Sequence, residues 1–455
     1  VDVADDEVFV ACASGEVVVL DPRLEVLRMA QIADDLRDIV IEGERAWLSR
    51  FRSAKVGRID PQTLEVDFWR RPRFIGEERQ ARVAWRMRAH PDGGVLVLHQ
   101  GAILRPIVLD LEVPVDPDIP TPSAYGGDGE GCRARRGPST THLSHVTVLG
   151  DVRTGGALMT PGPRYDFVLA DRTAIFADGQ PAPNPAATTS LHLADALAGT
   201  SCAVDRRSFT PSSAVVTAVG YTRDELWWFA RDGARLVGGT GDRSLSGGAY
   251  EEGAFALFHE VRSAGIACAS CHPEGQDDGH VWHFVDLGPR RTQNIAGGVA
   301  ERAPFHWDGE FATLDELMDD VFVGRMGGEA VDGAGVDDLA AWMHEIPSLR
   351  SRPSDDALVA EGRDLFLGDA ACAACHAGAQ YTDAQLHVVR EGEPPLKTPS
   401  LLGVGARAPY MHDGCAITLA QRFTDPACGG GDRHGTTSAL SPGDVDALVA
   451  FLKSL

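Results

Sequence analysis

Short apolar runs set between turn residues fill the first half of the chain, and helix-spaced apolar positions fill its end. Val8-Phe9-Val10, then Ala13-Ser14-Gly15-Glu16, then Val17-Val18-Val19-Leu20 predict a β-hairpin. Leu20-Asp21-Pro22 with Leu24-Glu25-Val26 recurs as Ile59-Asp60-Pro61 with Leu64-Glu65-Val66, about 40 residues on, the period of a four-stranded propeller blade. Further hairpins are expected at 94–100, 167–177 and 226–236. Residues 1–245 therefore predict an all-β, propeller-like domain with room for about six or seven blades, a β-sandwich or another barrel being the alternative. Segments 113–140 and 178–190 are rich in Pro and Gly and predict loops between blades.

Beyond Gly241-Asp242 the pattern changes to helices and long loops, and it repeats. Glu252-Gly253 with Leu257-Phe258 precedes Cys268-Ala-Ser-Cys271-His272, as Glu361-Gly362 with Leu365-Phe366 precedes Cys372-Ala-Ala-Cys375-His376. Arg302-Ala303-Pro304, Asp308-Gly309 and Thr313-Leu314 match Arg407-Ala408-Pro409, Asp413-Gly414 and Thr418-Leu419, and Met326-Gly327 matches His434-Gly435. Each copy ends on an amphipathic helix: Val336, Leu339, Ala340 and Met343 in the first, Val445, Leu448, Val449 and Leu452 in the second. Ser441-Pro442-Gly443-Asp444 predicts a capped start for the last of these. The offset stays at 104–109 residues, so 246–350 and 351–455 read as tandem copies of one mainly-α domain.

Composition narrows the picture further. The 455 residues exceed a single core. No stretch reaches the roughly 18 apolar residues of a membrane span. The chain opens on Val1-Asp2-Val3 without a leader, so the numbering is expected to begin after processing or trimming. A formal charge of −24 argues against nucleic acid and anionic membranes and fits a basic redox protein as donor or acceptor, or serves solubility alone. Four of nine cysteines lie in the two CxxCH clusters; of Cys12, Cys132, Cys202, Cys415 and Cys428, pairings 415–428 and 132–202 are candidates that sequence does not fix.

CxxCH is the attachment motif of c-type haem: Cys268 and Cys271, and again Cys372 and Cys375, reach the two vinyl groups of a porphyrin. His272 and His376 then become proximal iron ligands. Two such motifs inside matching repeats predict two covalently bound haem c groups, in two tandem cytochrome c domains, and attachment of haem c implies assembly outside the cytoplasm. The rival motifs, a thioredoxin-like CxxC or half a zinc site, lack their context. The sixth ligand decides whether an iron is closed for electron transfer or open to peroxide. Met326 and His434 hold equivalent positions, 54 and 58 residues after the proximal histidines, each followed by glycine. They are the candidate distal ligands, with His280, His283 and His306 competing at the first haem and Met411 and His412 at the second.

These motifs, with Phe305-His306-Trp307-Asp308-Gly309, Thr398-Pro399-Ser400-Leu401 and Ala408-Pro409-Tyr410-Met411-His412-Asp413-Gly414, resemble the bacterial di-haem cytochrome c peroxidase superfamily over residues 250–455. That superfamily includes the di-haem enzyme that matures the tryptophan cofactor of methylamine dehydrogenase. The resemblance implies that Trp307 carries electrons between the haems, and that a calcium ion sits between the haem domains, for which Asp277, Asp278 and Asp286 are available. The peroxidases place a glutamine ten residues after this tryptophan and a glutamate ten further on; here these are Leu317 and Gly327, with Glu329 close but out of register. The second haem's usual methionine aligns with His434. Fusion to a propeller is familiar among secreted bacterial proteins and implies partner docking or bracing. Three functions are therefore in play: electron transfer with both irons six-coordinate, peroxide reduction or peroxide-driven oxidation of a partner through Trp307, and a docking or assembly module, in the bacterial periplasm or at the cell surface.

Overall fold

The computed structural model describes residues 1–74, 79–107, 109, 138–158, 253–349 and 355–455, together with the backbone of strands between 166 and 244. Cys132, Cys202 and most of the two Pro/Gly-rich segments lie outside the described residues. The N-terminal region is all-β. Five four-stranded antiparallel sheets, over 2–31, 36–70, 79–158, 166–208 and 216–244, each pair their strands in sequence order. Three of the expected hairpins lie inside them: Val8 pairs with Leu20, Phe167 with Phe176, and Phe229 with Leu236. The hairpin expected at 94–100 is instead part of one strand, Val95–Ile103, whose apolar run Val95-Leu96-Val97-Leu98 leaves no turn residue to break it. Expectation was about six or seven blades; five four-stranded sheets are what the described residues contain.

Alternation explains how the sheets stack. Along Glu16–Leu20, Val17 and Val19 are buried while their neighbours are not, so one face of the sheet is apolar. Phe9, Val17 and Val19 of the first sheet share a core with Leu36, Ile39, Leu48 and Ile59 of the second. Val40, Trp47 and Val56 of the second share another with Met87, Val95, Val97 and Val146 of the third. Val95–Ile103 is buried along its whole length, because sheet neighbours cover both of its faces.

The chain divides into two compact units, one of residues 1–105, 110–273 and 324–328, the other of 106–109, 274–323 and 329–455. Helices α1 (Gly253–His259) and α2 (Cys268–Cys271) belong to the first; α4 (Gly333–Glu345), α5 (Asp356–Leu367), α6 (Leu419–Thr424) and α7 (Pro442–Ser454) belong to the second, as does the short α3 (Leu314–Leu317). The predicted apolar stripes face inward: α4 buries Val336, Leu339 and Met343, and α7 buries Val445, Leu448, Phe451 and Leu452. Ser441 caps α7 reciprocally with Asp444. The second haem domain has its own core, in which α7 and α6 meet α5 through Phe366, Leu419, Phe423, Leu448 and Phe451. Met318–Arg325 continues α3 as a π-helix, which the sequence did not signal.

The tandem repeat is visible in hydrogen bonds. Phe305 N donates to Phe311 O, and Tyr410 N to Ala416 O. Thr313 Oγ1 accepts from Glu316 N while Glu316 Oε2 accepts from Ala312 N; Thr418 Oγ1 accepts from Gln421 N while Gln421 Oε1 accepts from Ile417 N. His306 and Met411, at matching positions, share a left-handed backbone (φ 65° and 68°).

Candidate haem sites

In the first CxxCH motif, α2 carries both thiols and brings His272 directly after them, its N–H donating to Cys268 O. Cys268 keeps some surface exposure, yet desolvation of its thiol pushes it up to about 11. Burial also raises Cys372 and Cys375. These three thiols stay protonated at neutral pH, unlike the activated thiolates of redox CxxC motifs and structural zinc sites. Neutral thiols beside a following histidine suit addition to porphyrin vinyls.

Met326 is buried, 5 % exposed, and its segment is tied to the chain that enters α2: Ala264 N donates to Met326 O, and Ser263 Oγ donates to Gly327 O. Gly327 has φ +69°, and a Cβ there would lie 1.9 Å from Ser263 Oγ, so the close approach needs glycine. The second repeat does the same. Gly435, φ +77°, would place a Cβ 2.9 Å from Ala370 O, two residues before Cys372.

The second site brings its histidines together. His376 is 9 % exposed, and its Nδ1 lies 2.9 Å from Tyr381 O. A carbonyl only accepts, so Nδ1 carries the proton and Nε2 presents a lone pair. The His434 ring centre lies 6.2 Å from that of His376, with 30° between planes. Two imidazoles bound to one metal at about 2 Å each stand with ring centres about 6 Å apart, so the pair fits an iron between them. Burial drives both rings toward the neutral, ligating form, His376 down to about 4 and His434 well below the usual histidine range. His434 Nδ1 is buried without a hydrogen-bond partner. Met411 is near: a Cβ on Gly429 would lie 3.5 Å from Met411 Cε and 3.5 Å from His434 Nδ1. His412 instead turns its ring toward Trp307, 6.2 Å away, and puts Nε2 3.2 Å from Arg390 Nη2.

Trp307 is half-buried, and its Nε1–H donates to Arg291 O at 2.6 Å. Arg291 ties the two repeats: its N–H donates to His412 O, and its Nη2 donates to Asp277 Oδ1 and to Arg407 O, both at 2.7 Å. The remaining candidates scatter. His280 is buried against Trp282, His283 is exposed, and His306 pairs with Glu310 at 2.7 Å. Leu317 is half-buried and Glu329 exposed, so neither position offers a buried acid–base group. Asp277 is fully buried with a guanidinium as its cation, Asp278 caps His280 N, and Asp286 is exposed; the three do not form one cage. Among the described residues one set has metal-ligand spacing, Cys375, Asp383 and His387. Thioether formation at Cys375 takes that sulfur out of the set and leaves the Asp383–His387 pair.

Cys415 and Cys428 form a disulfide, as one candidate pairing expected, and it brackets α6. Sequence reading missed Arg422 on α6, whose Nη1 donates to Gly429 O at 3.2 Å and whose Nη2 donates to His434 O. The signal was present in the repeat, where the equivalent residue is Leu317.

The donor set and its neutral, buried imidazoles define a c-type cytochrome, with haem c held covalently. A cytochrome c family model matches residues 359–455. The chain is 29 % identical over 273 residues to methylamine utilization protein MauG of Methylorubrum extorquens, an alignment covering 44 % of this chain and 76 % of that protein. It is 27 % identical over 255 residues to hydrazine synthase subunit gamma of Kuenenia stuttgartiensis (42 % and 72 %), and 26 % identical over 281 residues to cytochrome-c peroxidase IdrP2 of a Pseudomonas species (42 % and 76 %). Over this part of its length the chain is similar to di-haem cytochrome c peroxidase-like proteins, and the likeness supports haem-based redox chemistry.

Proposed function

We propose that the chain carries two haem c groups and passes electrons between them, with the second iron closed by His376 and His434. The 6.2 Å separation of the two imidazoles carries this reading. Bound haem supplies a one-electron couple whose potential follows its axial ligands and surroundings. The protein's part is to hold the irons and connect them. His376 is oriented by Tyr381 O, and His434 by the Arg422 contact with its carbonyl. Trp307, fixed through Nε1 to Arg291 O and stacked edge-on toward His412, is the electron relay. Met326 is the distal ligand proposed for the first haem.

Peroxide reduction, or peroxide-driven oxidation of a partner through Trp307, is the second reading, favoured by likeness to a cytochrome-c peroxidase and to MauG. It requires a displaceable ligand at the first iron, and it has no buried acid–base group at Leu317 or Glu329 to assist O–O cleavage. The residues at Asp277 do not fit the calcium that the resemblance implies, because Arg291 already supplies the cation. The five β-sheets are proposed to close as a propeller that docks a redox partner, and the protein is proposed to act in the periplasm or at the cell surface, where haem c is attached. No helix among the described residues is long and apolar enough to cross a membrane.

Low-temperature EPR of the ferric holoprotein, with and without hydrogen peroxide, tests the reading. Two low-spin signals untouched by peroxide, one of them lost in H434A, are expected. A high-spin signal that peroxide converts to a ferryl species makes the first haem an enzyme site. A second haem whose signal is unchanged in H434A removes His434 as its ligand.

A further inference from the structure

We propose that Arg422 is the fixed cation of the second haem site, holding the His434 loop and raising the reduction potential of the iron that His376 and His434 ligate. The proposal rests on the bis-imidazole reading above and adds what sets that iron's potential.

Arg422 is 8 % exposed. Its hydrogen bonds go to backbone carbonyls, Gly429 O and His434 O, and its guanidinium carbon lies 5.2 Å from the Phe423 ring centre. No carboxylate among the described residues pairs with it. Two other buried guanidinium groups are ion-paired, Arg52 with Asp35 and Arg291 with Asp277. A charge taken from water without a counter-ion is costly, so a chain that keeps one has a use for it. A guanidinium keeps its charge at neutral pH. The hydrogen bond from Arg422 to His434 O stands the charge beside one of the proposed ligands of the iron.

The repeat supplies an independent observation. α3 and α6 start with the same threonine cap and the same backward bond from the third residue, which puts Leu317 and Arg422 in register. Leu317 is apolar, so the two haem sites differ at this position by one elementary charge. A fixed positive charge opposes the ferric state more than the ferrous one, and so favours uptake of the electron. One electron enters the iron, and no bond forms or breaks. A haem propionate that reached the guanidinium would be held by it. Removing the cation would then expose the iron to that carboxylate, so the sign of the shift is the same. The cation therefore offsets the low potential that two imidazoles impose relative to histidine and methionine.

The test is a spectroelectrochemical titration of wild-type, R422Q and R422K holoprotein, with EPR to follow ligation. R422Q removes the charge, and R422K keeps it without the planar fork. The expected result is a downward shift of the second haem's midpoint in R422Q, a much smaller shift in R422K, and an unmoved first haem. An unmoved second haem in R422Q, an equal fall in both variants, or an equal fall of both haems overturns the proposal. If R422Q takes up only one haem, the wild type decides. Its second haem must titrate above a solvent-exposed bis-imidazole haem peptide, and a midpoint at or below that reference overturns the proposal. Loss of the bis-imidazole EPR signature in the wild type would instead mark failure of the ligand reading.

Discussion

Residues near the two sites carry more than their chemistry suggests, and Lys397 is an example. It is buried, its N–H donates to Trp307 O at 2.7 Å, and its Nζ donates to Arg302 O. No carboxylate among the described residues pairs with it, and desolvation pulls its ammonium from 10.5 to about 8. Between these values the unfolded chain binds a proton that the folded chain does not, so stability rises with pH across that window and is lower below it. Thermal unfolding of the holoprotein, followed by Soret absorbance, is expected to shift upward from pH 7.5 to 10. In K397M that component of the shift disappears. Parallel pH profiles for the two proteins would show that Lys397 is solvated instead. No part of this was legible in the sequence. A lysine two residues before Pro399 reads as a surface residue, and only the fold places it under the tryptophan loop. Arg422 was missed because its partners are backbone carbonyls that any sequence supplies, although the repeat set it against Leu317, and Arg291 because its partners, Asp277 among them, lie apart from it in sequence. The CxxCH motifs were legible because covalent attachment constrains residue type as well as position.

Among elements, periodicity identified what packs against a regular neighbour. Val17 and Val19 alternate because one face of their sheet is buried, and Val445, Leu448 and Leu452 recur because α7 lies on α5 and α6. The π-helix over Met318–Arg325, which buries Met318 and Phe322, carries no such mark. The disulfide was one of two candidate pairings until the fold brought Cys415 and Cys428 to a Cα separation of 5.7 Å. It closes a short loop that contains α6, Arg422 and the approach to Gly429. A cross-link of this length contributes about 2–4 kcal/mol, mainly by restricting the unfolded chain. C415S/C428S is expected to lose about that amount in denaturant unfolding of the second haem domain. Its ferric low-spin signal should also broaden as the His434 loop gains freedom. Unchanged unfolding would mean that the core of α5, α6 and α7 fixes the loop without help.

For the whole molecule, the charge of −24 is the property that sequence gives directly and fold does not alter. Charges on a redox protein act chiefly on encounter, by steering partners of opposite sign before contact. Salt weakens such steering, because the screening length is about 10 Å at 0.1 M and about 3 Å at 1 M. Electron exchange with a small basic cytochrome is therefore expected to slow as salt is raised, and exchange with an acidic cytochrome of similar potential to quicken. Stopped-flow second-order rate constants across a salt series measure both. If the two slopes have opposite sign, the acidic surface selects the partner, and a basic donor or acceptor becomes the class to search for. If both rates are flat, the charge keeps the protein in solution, and selection passes to uncharged contacts. The same series with R422Q separates surface from site. Arg422 is buried and acts on the iron, so it should change the driving force at every salt concentration without changing the slope.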